Sequence, residues 1–381
     1  MTLRQKIEQE IHDVGPMPFW RYMELCLYEP ELGYYSRYRE QFGKTGDFYT
    51  SSDVHAVFGR LLSRQFNEIW EALGSPEQLY VVELGPGRGL FAQDVLEWSK
   101  KKFPEFARAL RYGLVERSAS LRGRLQIRFA EQIASGAVQV CAEWEPESSA
   151  PVIVFANEFF DALPVEVVSP KGSLHIQLAE DGRLEEIFLP LSSEIQEFLD
   201  RYGVPPENHE RVEASLECMR YARDIAEKIR TGVFIAIDYG YTRDELFAGR
   251  HRGTVAAFRQ HTLSMNPYEA PGEQDITAHV NFTALQAAAE QGGLSNLALL
   301  TQAQFLMGIG EQNQFSDAFE ECCLPQERAK VALQLKHLVT PAGMGENFHV
   351  LIMGKGIELQ DVKQLSGMSF AALLESNARK I

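Results

Sequence analysis

Residues 80–89 run Tyr-Val-Val-Glu-Leu-Gly-Pro-Gly-Arg-Gly. An apolar strand ends in an acid, turns through Gly85, Gly87 and Gly89, and enters the amphipathic stretch Leu90–Trp98. That order is the entrance to a βαβ unit that receives a nucleotide-type cofactor. Glycine there supplies φ > 0 and lets the backbone come close to a ligand without a Cβ clash. The spacing narrows the choice of cofactor. A dinucleotide site uses G-x-G-x-x-G, but here the glycines fall as G-x-G-x-G and Leu90 stands where the third dinucleotide glycine belongs. Glu83, just before the turn, is placed to hydrogen bond a cationic amino group. An ordinary tight strand-to-helix turn would carry the same glycines.

From this point strands and helices alternate, which predicts a mostly parallel sheet. The strand candidates are Tyr80–Glu83, Arg111–Glu116, Ala137–Cys141, Val152–Ala156, Gly232–Asp238, Asn296–Thr301 and Phe348–Met353. The last follows Pro341-Ala342-Gly343-Met344-Gly345, a hairpin-like connection that suits an antiparallel final strand. Upstream, Leu3, Ile7 and Ile11 mark one helical stripe, and Phe19, Tyr22, Met23 and Leu27 mark a second that starts after Pro18. Val54–Leu73 is a further helix. Two segments interrupt the alternation. Residues 163–189 suggest an extra hairpin turning at Pro170-Lys171-Gly172, and residues 191–230 suggest helices carrying Ile195, Phe198, Leu199, Leu216, Met219 and Ile225. Apolar surface on those helices is the candidate face of a homodimer. Residues 241–290 read as a long irregular stretch, a kind of loop that is usually functional.

A chain of 381 residues suits two domains, or one large α/β domain with insertions. Its net charge of −16 argues against nucleic acid as the main partner, because phosphate binding wants a basic surface. The same charge fits a cationic substrate or plain solubility. Five cysteines with no C-x-x-C pair disfavour a disulfide framework or a zinc site and fit a reducing compartment. No apolar run approaches the ~18 residues of a membrane span. Glu8, Glu10 and Asp13 suit neither a secretory signal nor an acid-poor presequence, so a cytoplasmic location is expected.

Two further sites carry chemistry. Glu116 ends the second strand, and an acid at the carboxyl end of such a strand can accept hydrogen bonds from both ribose hydroxyls of an adenosine cofactor; a solvent-facing strand end is the alternative. The fourth strand opens into Asn157-Glu158-Phe159-Phe160-Asp161-Ala162-Leu163-Pro164-Val165. On a turn of helix Glu158 and Asp161 would share a face. Two carboxylates with two aromatics suit a guanidinium, which stays protonated and offers a planar fork of donors. A surface acid pair capping a helix would have the same sequence.

The turn at 83–89 resembles motif I of class I S-adenosylmethionine methyltransferases. Taken with four other ordered segments, the chain resembles the MidA family, whose mitochondrial member is a complex I assembly arginine methyltransferase. Those segments are Gly46-Asp47-Phe48-Tyr49-Thr50-Ser51, Asn157–Val165, Asp238-Tyr239-Gly240, and the run from Gly253-Thr254 through His261 to Pro271–Phe282. One departure is Asn281, where the family usually has Asp.

The resemblance implies an α/β, Rossmann-like class I methyltransferase fold with a seven-stranded, mostly parallel sheet. It implies an N-terminal helical segment and cofactor-covering loop at 1–55 and a core at 56–162. A hairpin and helical insertion follows at 163–230, and the rest of the core at 231–381 carries substrate-side insertions at 241–290 and 305–340. It further implies S-adenosylmethionine as cofactor, held by Gly46, Asp47, Thr50, Ser51, Glu83, Gly85, Gly87, Gly89 and Glu116, with no metal. Glu158, Asp161 and Asn157 would orient the methyl acceptor. That acceptor would be a protein arginine, in the family's case on a respiratory complex I subunit. His261 and His279 are either proton carriers or structural, and Trp144 either stacks near the adenine or belongs to the core. A methyltransferase for a small molecule or another side chain remains open, as does an assembly factor without turnover; an NAD-dependent oxidoreductase fits the glycine spacing poorly.

Overall fold

Thr2 caps the first helix, α1 (Leu3–Val14), through a capping box with Gln5, and Leu3, Ile7 and Ile11 are its buried stripe. A two-residue strand, β1 (Met17–Pro18), leads into α2 (Phe19–Tyr28). The computed structural model describes residues 1–37, 56–146, 149–207, 210–247, 253–259, 262–264, 266–357, 359–362 and 364–371. Gly46, Asp47, Thr50, Ser51 and His261 lie outside the described residues.

Helix α3 (Ala56–Ala72) precedes the first core strand, β2 (Leu79–Leu84). The chain continues through α4 (Leu90–Lys102), α5 (Pro104–Ala109), β3 (Leu110–Val115), α6 (Ala119–Arg128), α7 (Ala130–Ala134), β4 (Val138–Cys141) and β5 (Val152–Asn157). After β6 (Glu166–Ser169), β7 (Gly172–Leu178), β8 (Leu184–Leu189), α8 (Ser193–Arg201), β9 (Val212–Ala214) and α9 (Leu216–Lys228) comes the long strand β10 (Gly232–Tyr241). Then follow α10 (Arg243–Phe247), β11 (Ala256–Arg259), β12 (Thr262–Ser264), β13 (Asp275–Thr277), β14 (Val280–Asn281), α11 (Phe282–Gln291) and β15 (Ser295–Thr301). Three helices between residues 302 and 339 lead to β16 (Phe348–Lys355).

The central sheet has the order β15-β16-β10-β5-β2-β3-β4. Neighbours from β10 through β4 are parallel, and β16 runs antiparallel to both β10 and β15. Short β14 pairs beside the end of β10, so the sheet has eight strands where the sequence suggested seven. The eighth is too short to show as an apolar alternation. Strand order reverses between β2 and β5. In open α/β sheets ligands bind at that switch point, beyond the carboxyl ends of the strands.

The interruptions are more ordered than the sequence suggested. The 163–189 hairpin joins a separate antiparallel sheet, β1-β7-β6-β9 with β8 on β7, and β9 breaks the expected helical run at 191–230. The 241–290 stretch holds a second small sheet, β12-β11-β13, and most of α11. Short strands rich in polar residues give little periodic signal. On the helices of 191–230, Ile195, Phe198, Leu199, Met219 and Ile225 are buried in the protein's own core, while Leu216 is half-buried.

Two apolar cores pack against the central sheet. A third lies under α1 and α2, against β6, β7, β11 and β13. No helix among the described residues is long and apolar enough to cross a membrane. Asn281 fills its departure from the family pattern well. Its Oδ1 accepts the Ala284 N–H at 3.0 Å, capping α11, while its Nδ2 donates to the Tyr202 carbonyl at 2.9 Å.

Candidate active site

The ends of β2 and β5 open into a cavity of about 1020 Å³ at the switch point. On one side stands the glycine turn. Gly85 and Gly89 have φ of +62° and +73°. A Cβ on Gly85 would lie 2.9 Å from the Phe159 ring, and one on Gly89 would lie 2.7 Å from both Leu125 and Phe129. The turn is closed by the Gly85 N–H on the Val115 carbonyl (2.9 Å) and the Gly89 N–H on the Pro86 carbonyl (2.7 Å). Only a residue without a side chain fits this path, and Gly85, Gly87, Glu83 and Glu116 all line the cavity.

Glu83 is buried and accepts a hydrogen bond from the Tyr112 hydroxyl at 2.9 Å; burial pushes its carboxyl up to about 8. Glu116, at the end of β3, accepts the Ser118 N–H at 2.8 Å, and burial pushes it up to about 7. Ribose hydroxyls donating to Glu116 would favour its charged form. The bare turn, the acid beyond the next strand and the cavity volume together fit an adenosyl cofactor.

On the other side is the bend after β5. The sequence suggested a helical turn through Glu158 and Asp161, and the structure corrects this. Asp238 of β10 is fully buried, and one of its oxygens accepts three successive N–H groups, those of Phe159 (3.2 Å), Phe160 (3.0 Å) and Asp161 (3.2 Å). Its other oxygen accepts the Tyr239 N–H at 2.9 Å. The backbone folds around this carboxylate instead of winding, and Glu158 is held at φ +48°. A non-glycine residue there is strained, and strain of this kind gathers at functional sites.

The bend brings together the three residues the sequence singled out. Asn157 Nδ2 lies 3.3 Å from Glu158 Oε1, and Asn157 Oδ1 is buried with no hydrogen-bond partner among the described residues. Asp161 is 6% exposed. The Tyr239 hydroxyl donates to Asp161 Oδ2, while Oδ1 is buried with no hydrogen-bond partner among the described residues, and Asp161 lines the cavity. Burial pushes Asp161 up to about 6, against the opposing hydrogen bond from Tyr239. His279 packs edge-on to the Tyr239 ring at 5.3 Å, and Trp144 and Arg88 line the cavity.

Several residues in the cavity wall or beneath it were not singled out from the sequence. Tyr28 donates to the Ala162 carbonyl (2.9 Å), and Tyr35 donates to Asp275 Oδ1 (2.9 Å). Asp238 was noted only within a motif, with no role attached. An acid followed by Tyr at the end of an apolar strand was the available signal for Asp238. The signal for Tyr35 was the Gly33-Tyr34-Tyr35 cluster in a loop.

Comparison with known proteins agrees with this geometry. A family model described as S-adenosyl-L-methionine-dependent methyltransferase matches residues 61–299. The mitochondrial protein arginine methyltransferase NDUFAF7 homolog of Drosophila melanogaster is 30% identical, across 93% of this chain and 85% of its own. The human mitochondrial protein arginine methyltransferase NDUFAF7 is 26% identical, across 89% and 80%. A crystal structure of a COG1565 superfamily member from Burkholderia thailandensis, a methyl transferase by its description and bound to S-adenosyl-homocysteine, superposes with a TM-score of 0.83. It is 27% identical, with 96% of this chain and 94% of that chain covered.

One expectation is overturned by these names. The sequence suggested a cytoplasmic protein, whereas the curated relatives are mitochondrial. An acidic N-terminal helix was a poor guide to compartment, since α1 is spent on packing over the third core. With a family model matched over residues 61–299 and a relative 30% identical across 93% of its length, the chain belongs to the MidA-type family of S-adenosylmethionine-dependent methyltransferases.

Proposed function

We propose that this methyltransferase acts on protein arginine, with Glu158, Asp161 and Asn157 holding the guanidinium. One observation carries the reading. Two buried acceptor atoms, Asp161 Oδ1 and Asn157 Oδ1, have no partner among the described residues, and both residues line the cavity. A buried acceptor left unpaired costs roughly 1–3 kcal/mol. A guanidinium is all donors, five N–H groups in a planar fork, and satisfies such acceptors without bringing any of its own. The relatives' names, protein arginine methyltransferases, support the same acceptor.

S-adenosylmethionine supplies a methyl group activated by its sulfonium. Gly85, Gly87 and Gly89 would form its cradle, with Glu83 and Glu116 beside it. Gly46, Asp47, Thr50 and Ser51 would complete the cover. The chain's own contribution is alignment: a displacement in line needs the acceptor nitrogen held at the methyl carbon, and fixed geometry of this kind removes much of the barrier. Glu158 orients the guanidinium and offsets positive charge on it as the attacking nitrogen loses conjugation. Asp161 Oδ1 is the open site for the proton that the methylated nitrogen releases. The polypeptide substrate is then a protein with an arginine on an accessible segment, a respiratory complex I subunit being the candidate that the family resemblance supplies.

The test is transfer of labelled methyl from S-adenosylmethionine to a mitochondrial extract, followed by mass spectrometry of the labelled band. Methylarginine is the expected product. Label on lysine, on a carboxylate or only on small molecules would sink the reading.

A further inference from the structure

The backbone of Asp161 is fixed from two sides. Its N–H is one of the three that Asp238 collects, at 3.2 Å, and its carbonyl accepts the Ala278 N–H at 2.9 Å. Its carboxyl takes a side-chain hydrogen bond from the Tyr239 hydroxyl, on Oδ2. Oδ1 is buried with no hydrogen-bond partner among the described residues, on a side chain that is 6% exposed and lines the cavity.

Tyr239 has little freedom to point elsewhere. Its N–H donates to Asp238 Oδ1 at 2.9 Å, so the carboxylate that folds the bend also anchors the residue reaching into it. Its ring stands edge-on to His279 at 5.3 Å and to Phe348, its register partner on β16, at 5.5 Å. The Thr277 side chain, at the end of β13, hydrogen bonds the hydroxyl. Two rings therefore set the plane of the phenol, and a threonine sets the direction of its O–H. A hydrogen bond received by a hydroxyl strengthens the one it gives.

The surroundings supply no cation to do this work. The groups that feel the charge of Asp161 are Tyr28 of α2, Tyr35 after it, Cys218 of α9, and Asp238 and Tyr239 of β10. Glu158 shares the bend, Asp275 bonds Tyr35, and His279 packs on the far side of the Tyr239 ring. Burial pushes the Asp161 carboxyl up to about 6, and the Tyr239 hydroxyl opposes the rise. Tyr239 is itself pushed up, first by burial and then by the charge of Asp161 and Asp238, so it keeps its proton and stays a donor. A permanent donor favours the ionised carboxylate.

We propose that Tyr239 is the positioning residue of the acceptor pocket: it engages Oδ2 of Asp161 and so presents Oδ1 to the methyl-accepting group. This role rests on the reading above, in which Asp161 holds the acceptor, and it names the group that aims that carboxylate. A guanidinium needs such aim. Its donors are fixed in a planar fork, so a carboxylate free to turn meets them in many poses, and one held by Tyr239 meets them in one. Tyr239 acts through Asp161.

The test follows the initial rate of labelled methyl transfer to mitochondrial extract from about pH 5 to about pH 9, with S-adenosylmethionine saturating and with label incorporated without added enzyme subtracted. The acid limb of the wild type should lie near 6, where Asp161 titrates. Tyr239→Phe removes one hydroxyl with little change of volume. It should move the limb upward by about one pH unit, the tenfold change in proton affinity that goes with losing a hydrogen bond to a charged group. The deficit should be greatest in acid and shrink as pH rises, while S-adenosylhomocysteine affinity, read by calorimetry, stays within about 2-fold. Thr277→Val removes the hydrogen bond behind the hydroxyl and should move the limb the same way by less; it keeps the test alive if Tyr239→Phe does not fold. A merely structural Tyr239 would lower transfer equally at every pH. An unmoved limb in folded Tyr239→Phe, or in Thr277→Val where only that variant folds, overturns the proposal, as does a limb that moves down. Failure of the arginine reading appears elsewhere, as label on another residue in the mass spectrum of the product.

Discussion

The glycine turn and the acidic pocket face each other across one cavity, but the chain builds them in opposite ways. The turn is local: Glu83 to Gly89 are consecutive, and the geometry is set by φ values only glycine tolerates cheaply. The pocket is assembled from distant segments. Tyr28 and Tyr35 come from the N-terminal segment, Asn157, Glu158, Phe159 and Asp161 from the bend after β5, Tyr239 from β10 with the buried Asp238 beneath the bend, and Asp275 from β13. A local device survives with a short motif. A dispersed one depends on the whole fold, and each member contributes through hydrogen bonds to the others.

The comparison breaks if the two halves fail to separate experimentally. The largest expected effect is on the acceptor side. Glu158→Gln should keep S-adenosylhomocysteine affinity and lose roughly 100- to 1,000-fold in methyl transfer, the usual scale for removing a charge-stabilising group. Undiminished transfer to the labelled protein would take Glu158 out of the mechanism.

The reverse pattern should follow from Gly85→Val. A β-branched residue at φ +62°, with its Cβ 2.9 Å from Phe159, strains the turn by at least the ~1–2 kcal/mol of a left-handed L-residue. Calorimetry should show S-adenosylhomocysteine binding weakened by about tenfold or more. Normal affinity would mean that the turn is not the cradle.

A smaller effect sharpens the division by pH. Asp161 is raised to about 6 and Glu116 to about 7, both mainly by burial. Both must be ionised for the roles given to them, the one to hold a cation and the other to accept ribose hydroxyls. Transfer at saturating cofactor should therefore rise with pH through about 6, and S-adenosylhomocysteine affinity through about 7. Stability of the free protein should move the other way. A carboxyl raised on folding binds its proton more tightly in the native state, so its contribution is greatest below the ordinary carboxylate range and is lost as pH climbs to the folded value. Thermal melts of the free protein at fixed ionic strength should fall over that interval. Asp161→Asn should flatten its share of the fall, and a melting profile indifferent to pH would count against both assignments.

The same contrast explains what was legible in the sequence. Strand–turn–helix at 80–98, the alternation that follows, and the antiparallel last strand were all readable, because each rests on neighbouring residues or on a short period. Asn157, Glu158 and Asp161 were readable as a cluster, yet their conformation was not. The bend is dictated by Asp238, nearly eighty positions away, and no local pattern announces a carboxylate that collects three backbone N–H groups. Asp275 lay in a stretch that seemed irregular, since three-residue strands are too brief for a period-two signal. Tyr35 sat in a loop cluster whose partner could not be known before the fold was.

One feature of the architecture bears on how a bulky guest reaches the methyl group. The N-terminal helices share their own greasy interior with β6, β7 and β13, apart from the two interiors that clasp the central sheet. Regions with separate interiors come apart separately. Opening of α1 and α2, which line the cavity, ahead of the central sheet would admit an incoming polypeptide. Amide exchange would register this as α1 and α2 surrendering their protons before β2 and β5.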